Sequence, residues 1–386
     1  MKQPSLLVFV SVMILVYLAG NYYIFIRGWQ AIPPVSWLRV TYIVLYSLLA
    51  LSFLAGRGLE QSSFHGLTKI VTWVGAFWWA ILLYLFIAVI LIDFSRLLNH
   101  WFHIYPGIIS GNYTIAKQIV FLSILIIVAV ITIAGYYNAS HPRNKYLTID
   151  VHKNAGSRSH LKIAMVSDVH LGLLVGEHKL TRMVNDMNSF NPDIVLFVGD
   201  ILDEMHHPIF RDDIGKPLRR IQAPLGVYAI PGNHEYIGGV GKALQYIGSL
   251  NIKMLRDTAV LIDNSFWLIG RDDLQAERFA GRKRAPLEDL IKNVNPSQLL
   301  ILMDHQPYHL EAAEQNGIDL QVSGHTHHGQ FWPLSIITKA IFEVSWGYKK
   351  KGNTSVYVSS GYGTWGPPVR VGNQPELVLI TINFKD

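Results

Sequence analysis

The sequence predicts an N-terminal four-helix transmembrane bundle followed by an α/β domain. Before about residue 140 the apolar residues come in long blocks, whereas after it short apolar runs alternate with amphipathic stretches. The chain has 386 residues, of which half are hydrophobic and only 16% are charged, and this composition is too apolar for an ordinary soluble protein. We therefore expect a transmembrane domain over residues 1–140, a linker over 141–159 and a globular domain over 160–386.

Four apolar segments predict the membrane spans. At ~1.5 Å per residue, each segment is long enough to cross a hydrocarbon core of roughly 30 Å. The first segment is longer than the apolar part of a cleaved signal peptide and three more follow it, so we interpret it as a span. The segments contain almost no ionisable residues, which favours an anchor that shapes access to a lipid over a transporter. The predicted spans are residues 6–26, 38–55, 70–92 and 115–137.

The distribution of charge argues against one class of partner. Seven of the 33 basic residues and two of the 27 acidic residues lie before residue 141, so this part carries +5 of the formal net charge of +6. The remainder is nearly neutral, which is not the pattern of a nucleic-acid-binding domain. The absence of cysteine excludes disulfides and thiolate metal sites. Basic residues beside the spans favour a multi-pass cell-membrane protein whose globular domain faces the cytoplasm.

Polar side chains follow each predicted core strand of the globular domain. In the stretch DIVLFVGDILD, residues 193–203, an uninterrupted apolar run that is typical of a buried strand ends in Gly199 and Asp200. Ligands of α/β sheets bind at the carboxyl ends of strands, and like charges buried there repel each other unless a cation neutralises them. The pattern therefore predicts a metal site with Asp200 between two ions. The polar residues after the other strands are Asp168, His170, Asn233, His234, His305, His325 and His327.

These motifs resemble those of the calcineurin-like metallophosphoesterase superfamily over roughly residues 160–383. The D-x-H element matches Asp168 and His170, the G-D-x-x-D element matches residues 199–203, and the G-N-H-E element matches residues 232–235. His305 and the G-H-x-H element at residues 324–327 complete the set. The stretch GHTHHGQ is similar to the GHTHGGQ signature of a membrane-associated branch, except that His328 replaces a glycine. The resemblance implies that the α/β domain is an α-β-β-α sandwich.

The resemblance also implies two divalent metal ions (manganese, iron or zinc) and a role for each matching residue. The ligands of the first ion would be Asp168, His170, Asp200 and His327. The ligands of the second ion would be Asp200, Asn233, His305 and His325. His234 would be the catalytic residue that donates a proton to the leaving oxygen. Asp203 and Glu235 would support catalysis by orienting the metal ligands.

Four residues outside these roles lie near the motifs in the sequence or could line the cleft. Arg370, in the stretch PPVRVG, is a candidate substrate-binding group because a guanidinium can bind two phosphoryl oxygens at once; a plain surface charge is the alternative. His328 is a second candidate, which would narrow the substrate pocket or join it. His206 and His207 are interpreted as solvated.

These features together predict a membrane-anchored hydrolase that cleaves a phosphodiester or pyrophosphate bond by attack of metal-activated hydroxide. A phospholipid or another lipid-linked phosphate is the expected substrate, because one span would suffice for tethering and four are predicted. Two segments, residues 207–220 and 331–351, are candidates for contact with lipid headgroups. The alternatives are a phosphodiesterase for a soluble cyclic nucleotide, with the bundle as an anchor only, and a membrane sensor or transporter regulated by the metal domain.

Overall fold

The computed structural model describes residues 6–59, 62, 64–153, 155–156 and 158–385. The chain forms two compact units, Met1–Ala134 and Gly135–Asp386. The boundary between them lies inside the last long helix, near the predicted end of the transmembrane domain. Each unit is described by itself below.

The N-terminal unit consists of long apolar helices joined by short connections. Four of them are long and apolar enough to cross a membrane: Val10–Ala31, Ser36–Gly58, His65–Phe102 and Tyr113–Ser140. The four predicted helices are confirmed, and each continues beyond the predicted span at one end or both. The helices are α1 (Leu6–Ala31), α2 (Ser36–Gly58), α3 (His65–Phe102), the short α4 (Gly107–Gly111) and α5 (Tyr113–Ser140).

A small polar network and a close helix contact stabilise the packing of α1, α2 and α3. The Trp78 indole donates a hydrogen bond to the Asn21 side-chain oxygen at 3.0 Å, and the Tyr46 hydroxyl donates to the Asn21 carbonyl at 2.7 Å. Asn21 therefore links three helices, since unsatisfied polar groups are costly in an apolar medium. Gly75 of α3 approaches the α2 backbone so closely that a β-carbon there would lie 2.6 Å from Phe53 Cα.

The second unit contains two six-stranded mixed sheets. The first sheet has the order β1-β12-β2-β3-β4-β5 and the second has the order β10-β11-β9-β8-β7-β6. The strands are β1 (Arg143–Val151), β2 (His160–Val166), β3 (Ile194–Val198), β4 (Val227–Ile230), β5 (Lys253–Met254), β6 (Thr258–Ile262), β7 (Phe266–Gly270), β8 (Leu299–Met303), β9 (Leu320–Ser323), β10 (Gly347–Lys351), β11 (Thr354–Val358) and β12 (Glu376–Phe384).

Helices cover the outer face of each sheet, so the predicted α-β-β-α sandwich is confirmed. One buried cluster joins residues of both sheets, such as Leu196 and Ile301, and forms the central core. A second cluster joins Phe197 to Met183 of a covering helix, and a third lies behind β8. The helices are α6 (Glu177–Ser189), α7 (His206–Arg211), α8 (Asn233–Ile237), α9 (Val240–Ser249), α10 (Ala276–Ala280), α11 (Leu287–Leu290), α12 (Leu310–Gln315) and α13 (Leu334–Ile341), with 3-10 turns at Lys216–Arg220 and His327–Gly329.

The strands that precede the predicted ligands lie in the middle of the sheets. β3 is buried on both faces over its whole length, which explains its continuous apolar sequence. β2, β3 and β4 run parallel, and so do β7, β8 and β9. Parallel strands end at one edge of a sheet, so the loops after β2, β3, β4, β8 and β9 are brought together.

The structure differs from the predicted linker at residues 141–159. Nine residues of that segment form β1, which pairs in parallel with β12 over its full length. In its sequence, RNKYLTIDV, the first four side chains are exposed, because β1 is an edge strand. Leu147, Ile149 and Val151 then alternate with exposed Thr148 and Asp150, as in a half-buried strand. The prediction of a linker missed this alternation.

The close contact at Gly75 gives a first prediction. Gly75→Ala should lower the melting temperature of the detergent-solubilised protein, because overpacking of this kind costs ~1–3 kcal/mol. Gly66→Ala in the same helix is the matched control, since among the described residues no atom lies within 4 Å of a β-carbon there. The control should be neutral or slightly stabilising. Equal melting temperatures for both variants would contradict the observed packing of α2 against α3.

Candidate metal centre

The predicted ligands follow the strands at one edge of the two sheets, and five of the seven have an unusual backbone conformation. Asp168, His170, Asp200, His325 and His327 have φ angles of 51°, 48°, 51°, 71° and 44°. Left-handed φ values are uncommon for residues other than glycine, and they cluster where the surrounding structure enforces them for function. Five such residues in one small region therefore mark a site that the fold holds under strain.

Asp168, His170 and His327 form the first group of candidate ligands. The two imidazole Nε2 atoms lie 3.0 Å apart, and His327 Nε2 is 3.4 Å from Asp168 Oδ1. One ligand atom from each residue lies within 4.8 Å of the others. Asp200 Oδ2 is 4.0 Å from His170 Nε2, so this carboxylate borders the group. The arrangement offers nitrogen and oxygen donors to a divalent cation.

Asp200, His305 and His325 form the second group, and Asn233 adjoins it. His305 Nε2 lies 3.2 Å from Asp200 Oδ2, while His305 Nδ1 is 2.8 Å from the Val198 carbonyl. In a neutral imidazole the contact with the carbonyl places the proton on Nδ1, so Nε2 offers its lone pair to the site. A carbonyl partner on the far nitrogen is the usual support of a metal-binding histidine. The residues therefore fit a divalent cation.

Asn233 contributes a neutral oxygen to this second group. Its Oδ1 lies 2.9 Å from His325 Nδ1. Asp200 belongs to this second group, and its Oδ2 lies 4.0 Å from His170 Nε2 of the first group, so its bridging position stays a prediction.

Burial keeps several of these histidines neutral, which is the state that binds a metal. Desolvation lowers the pKa of His170 to about 3 and that of His325 to about 3, and it lowers the pKa of His327 well below its usual value. Desolvation also raises the pKa of Asp168 to about 6. Both effects reflect the cost of holding charge in a dry site, and a bound cation would reverse this cost for the carboxylates.

His234 differs from His170, His325 and His327 because it is held as a cation. Burial alone would lower the pKa of its imidazole, but the negative charges of Asp200 and Asp203 raise that pKa to about 9. His234 Nδ1 lies 3.5 Å from Asp203 Oδ1 and 3.7 Å from a Glu204 oxygen. The ring packs edge-on against His170 at 4.5 Å. A protonated imidazole thus lies next to the candidate ligands.

Glu235 fixes the loops that present Asp200. Its buried carboxylate accepts hydrogen bonds from the backbone N–H groups of Asp200, Leu202 and Gly232 at 3.1, 2.8 and 2.7 Å. Gly232 in turn allows the Asp200 carboxylate to pack directly against it, because a β-carbon there would collide with that carboxylate. Glu235 therefore positions the site through the backbone.

A protein-family model described as calcineurin-like phosphoesterase matches residues 161–329. A protein of Aquifex aeolicus named an uncharacterized metallophosphoesterase is 33% identical over 58% of this chain and 86% of its own length. The chain belongs to the calcineurin-like phosphoesterase family. Members of this family are dinuclear and metal-dependent, so the protein is a metal-dependent phosphoric ester hydrolase, and the predicted resemblance is confirmed.

A second relative extends the similarity into the membrane half. A Danio rerio protein named "Transmembrane protein with metallophosphoesterase domain" is 29% identical over 92% of this chain and 82% of its own length. Together with the four apolar helices, this similarity identifies the phosphoesterase as a membrane protein. Among solved structures, a dimetal phosphatase from Danio rerio covers 58% of this chain and 93% of its own, with 12% identity and a TM-score of 0.36.

The structure shows which groups surround Arg370, the predicted phosphate contact of this phosphoesterase. It is fully buried and donates hydrogen bonds to the Gly361 and Gly363 carbonyls and to the Asn373 side-chain oxygen. One guanidinium nitrogen also lies 3.1 Å from His327 Nδ1. Every nitrogen of the group contacts protein atoms and the side chain is buried, so a plain surface charge does not describe it, whereas the phosphate contact stays a prediction. The geometry is that of a residue that positions His327.

Two histidines beside the motifs are both buried. His328, a candidate pocket residue, has its Nδ1 3.0 Å from the Ser345 hydroxyl and its ring 5.3 Å from that of Trp346, and its role in the pocket stays a prediction. His206, interpreted as solvated, is buried at the start of α7. Sequence reasoning missed the burial of His206 because solvent exposure of a loop residue depends on how distant segments pack over it.

Removal of the Glu235 charge should destabilise the phosphoesterase domain. Glu235→Gln replaces one acceptor oxygen by an amide that cannot accept from a backbone N–H, which should cost about 1–3 kcal/mol of unfolding free energy. Glu288→Gln, at an exposed position, is the control. Denaturant unfolding measures both variants, and an unfolding free energy for Glu235→Gln equal to that of the control would contradict the positioning role.

Proposed function

We propose that this protein is a membrane-anchored dinuclear-metal phosphoesterase that hydrolyses a phosphodiester or pyrophosphate bond of a lipid-linked substrate. The observation that carries the lipid part is an exposed apolar surface beside the metal centre. We define the α13 surface as Trp332, Ile336, Ile337, Ile341 and Trp346. Ile336 is 63% exposed and Trp332 is 56% exposed, which is unusual for such large apolar side chains unless they contact a partner or a membrane.

The α13 surface is joined to the candidate ligands through aromatic contacts. Phe342, which follows α13, packs edge-on against His325 with ring centroids 6.1 Å apart. Trp346 packs against His328, next in sequence to the candidate ligand His327. Lys339 lies within α13 and Lys349 follows it in sequence. Exposed tryptophan and isoleucine with nearby lysines are typical of a segment that enters the headgroup region.

The other predicted lipid-contact segment, residues 207–220, does not have this character. Ile209 and Leu218 are buried in the domain core. Several of its charged residues form ion pairs within the segment, such as Arg219 with Asp213 at 2.6 Å. The proposal therefore depends on the α13 surface alone.

The proposed ligands are those of the two groups described above. Asp168, His170, Asp200 and His327 would hold one ion, and Asp200, Asn233, His305 and His325 the other. Two bound divalent ions supply Lewis-acid chemistry, since they activate water and offset charge on phosphoryl oxygens. We leave their identity open between manganese, iron and zinc.

The protein's own groups would complete the reaction. His234, held as a cation by Asp200 and Asp203, would donate its proton to the leaving oxygen. Arg370 would hold the ring of His327, and Asn373 would hold its backbone carbonyl through a 3.0 Å hydrogen bond. His328 would line the side of the pocket that faces the α13 surface. These assignments give each polar residue of the site a distinct task.

We also propose that the catalytic domain faces the cytoplasm. Four spans place both termini of the bundle and its middle loop on one side. That side carries Lys2, Arg57, Lys69, Arg143, Lys145 and Lys153, whereas the other side carries Arg27, Arg39, Arg96 and Lys117. Basic residues near span ends are enriched on the cytoplasmic side. Protease accessibility in inside-out and right-side-out vesicles tests the orientation.

The proposed chemistry predicts a specific loss on removal of the shared ligand. Phosphorus NMR of total membrane lipid incubated with the purified protein and manganese should show one lipid phosphorus signal disappearing. Asp200→Asn should abolish this change, because both ions lose a charged ligand, whereas Asp289→Asn at an exposed position should retain it. Unchanged lipid together with hydrolysis of bis(4-nitrophenyl) phosphate would contradict the lipid substrate and favour a soluble one. Turnover by Asp200→Asn at the wild-type rate would contradict the site itself.

The α13 surface predicts a difference between lipid and soluble substrates. Ile336→Ser should raise the apparent KM for the lipid in vesicles about tenfold, the factor that corresponds to ~1.4 kcal/mol of lost apolar contact. Its turnover of bis(4-nitrophenyl) phosphate should stay unchanged. Leu261→Ser, at a 39% exposed position of β6, is the control and should alter neither. A parallel loss on both substrates would indicate damage to the site instead of lost membrane contact.

A further inference from the structure

The membrane half contains a cavity that the phosphoesterase chemistry does not use. It has a volume of about 960 Å³ and is lined by α1, α2, α3 and α5 between Ile24 and Ala129. Most of its lining is aliphatic or aromatic, including Leu45, Leu49, Ile81 and Leu125. A volume near the upper end of ordinary ligand pockets, roughly 300–1,000 Å³, is enough for a large apolar ligand.

One end of the cavity is strongly basic. Arg27, Arg96 and Lys117 line it together with Asp93. Arg27 precedes the end of α1 at Ala31, Arg96 precedes the end of α3 at Phe102, and Lys117 follows the start of α5 at Tyr113. These positions belong to the same end of the bundle, as shown by the 3.3 Å hydrogen bond from Lys117 Nζ to the Gln30 carbonyl. The basic groups therefore lie near a membrane–water interface, at the level of lipid headgroups.

The charges at this end do not balance. Asp93 forms an ion pair with Arg27 at 2.6 Å and a longer one with Arg96 at 3.4 Å. The Tyr23 hydroxyl also donates a hydrogen bond to Asp93, so fewer lone pairs of this carboxylate remain for the basic groups. The Nε of Arg27 is buried and has no hydrogen-bond partner among the described residues. Three cations thus face one carboxylate, and an uncompensated charge at the edge of an apolar cavity favours an anion.

We infer that the bundle binds one membrane lipid with an anionic phosphate headgroup. An acyl or prenyl chain would fill the apolar part of the cavity, and the phosphate would contact Arg27, Arg96 and Lys117. Between Lys117 and Ala129 the α5 helix rises roughly 18 Å, so the cavity accommodates a long hydrocarbon chain below the headgroup. Guanidinium and ammonium groups donate charge-assisted hydrogen bonds to phosphate.

This site goes beyond the proposed hydrolase function and does not depend on it. The cavity is lined only by residues of the N-terminal unit, whereas every candidate metal ligand lies in the second unit. The lipid bound here is therefore a ligand of the bundle, whether or not the metal centre cleaves a lipid.

Native mass spectrometry of the full-length protein in detergent tests the inference. The probes are phosphatidylglycerol and phosphatidylcholine with identical chains. The wild-type protein should bind phosphatidylglycerol at least tenfold more tightly. Lys117→Gln should weaken that binding about tenfold, the factor that corresponds to ~1.4 kcal/mol for one charged contact. Arg96→Gln/Lys117→Gln should weaken it further and leave the Arg27–Asp93 pair intact.

Controls separate headgroup recognition from general lipid contact. Lys69→Gln, an exposed lysine at the N-terminal part of α3, should bind like the wild type. Ala129→Trp should fill the apolar part of the cavity and lower binding of both lipids. If a glutamine variant is not monodisperse, Lys117→Arg should be monodisperse and retain full affinity. Equal affinity for the two lipids, unchanged by Lys117→Gln, would overturn the inference. Asp200→Asn should retain lipid binding, so a failure of the catalytic proposal remains distinguishable.

Discussion

The concentration of polar groups at the ends of buried strands is the constraint on which the rest of the catalytic domain depends. Asp200 is 2% exposed and lies against His305, while its backbone N–H is held by Glu235. A carboxylate in such a place is costly unless positive charge compensates it. The protonated His234 supplies part of that compensation, and divalent cations bound at the site would supply the remainder. Glycines around it, such as Gly232, exist because any side chain would displace the carboxylate.

The same constraint explains the strained backbone. A strand that ends in a ligand must turn at once, so that the side chain points into the site instead of along the sheet. Asp168 and Asp200 achieve this turn with left-handed φ angles, which a non-glycine residue adopts at a cost of ~1–3 kcal/mol. Buried hydrogen bonds oppose this cost. Asp168 accepts from the His325 N–H at 3.0 Å, and Asp200 accepts from the His234 N–H at 2.8 Å.

The sequence was most informative where one residue type has few alternatives. Apolar runs that end in Asp200 or His305 predict buried strands with a metal site at the edge of the sheet, because water cannot solvate those side chains at the end of a buried strand. Position within the assembled fold was harder to predict. β1 is an edge strand of polar sequence, and the burial of Arg370 results from segments distant in sequence. The predicted spans end at residues 26 and 92, so Arg27 and Asp93 fell outside them. The helices continue past these residues, and the basic end of the cavity was therefore not foreseen.

The exposed side chains near α13 bear directly on the choice between a lipid and a soluble substrate. Four membrane-spanning helices already tether the chain, so tethering does not require a further apolar surface. A soluble nucleotide would gain little from isoleucine and tryptophan beside the pocket, and their exposure to water promotes association with other molecules. The proposed contact with the bilayer would remove this disadvantage and would orient the adjoining pocket toward the headgroups. The contact between Phe342 and His325 links such a surface to the metal centre, and this link is the physical reason to favour a substrate that stays in the membrane.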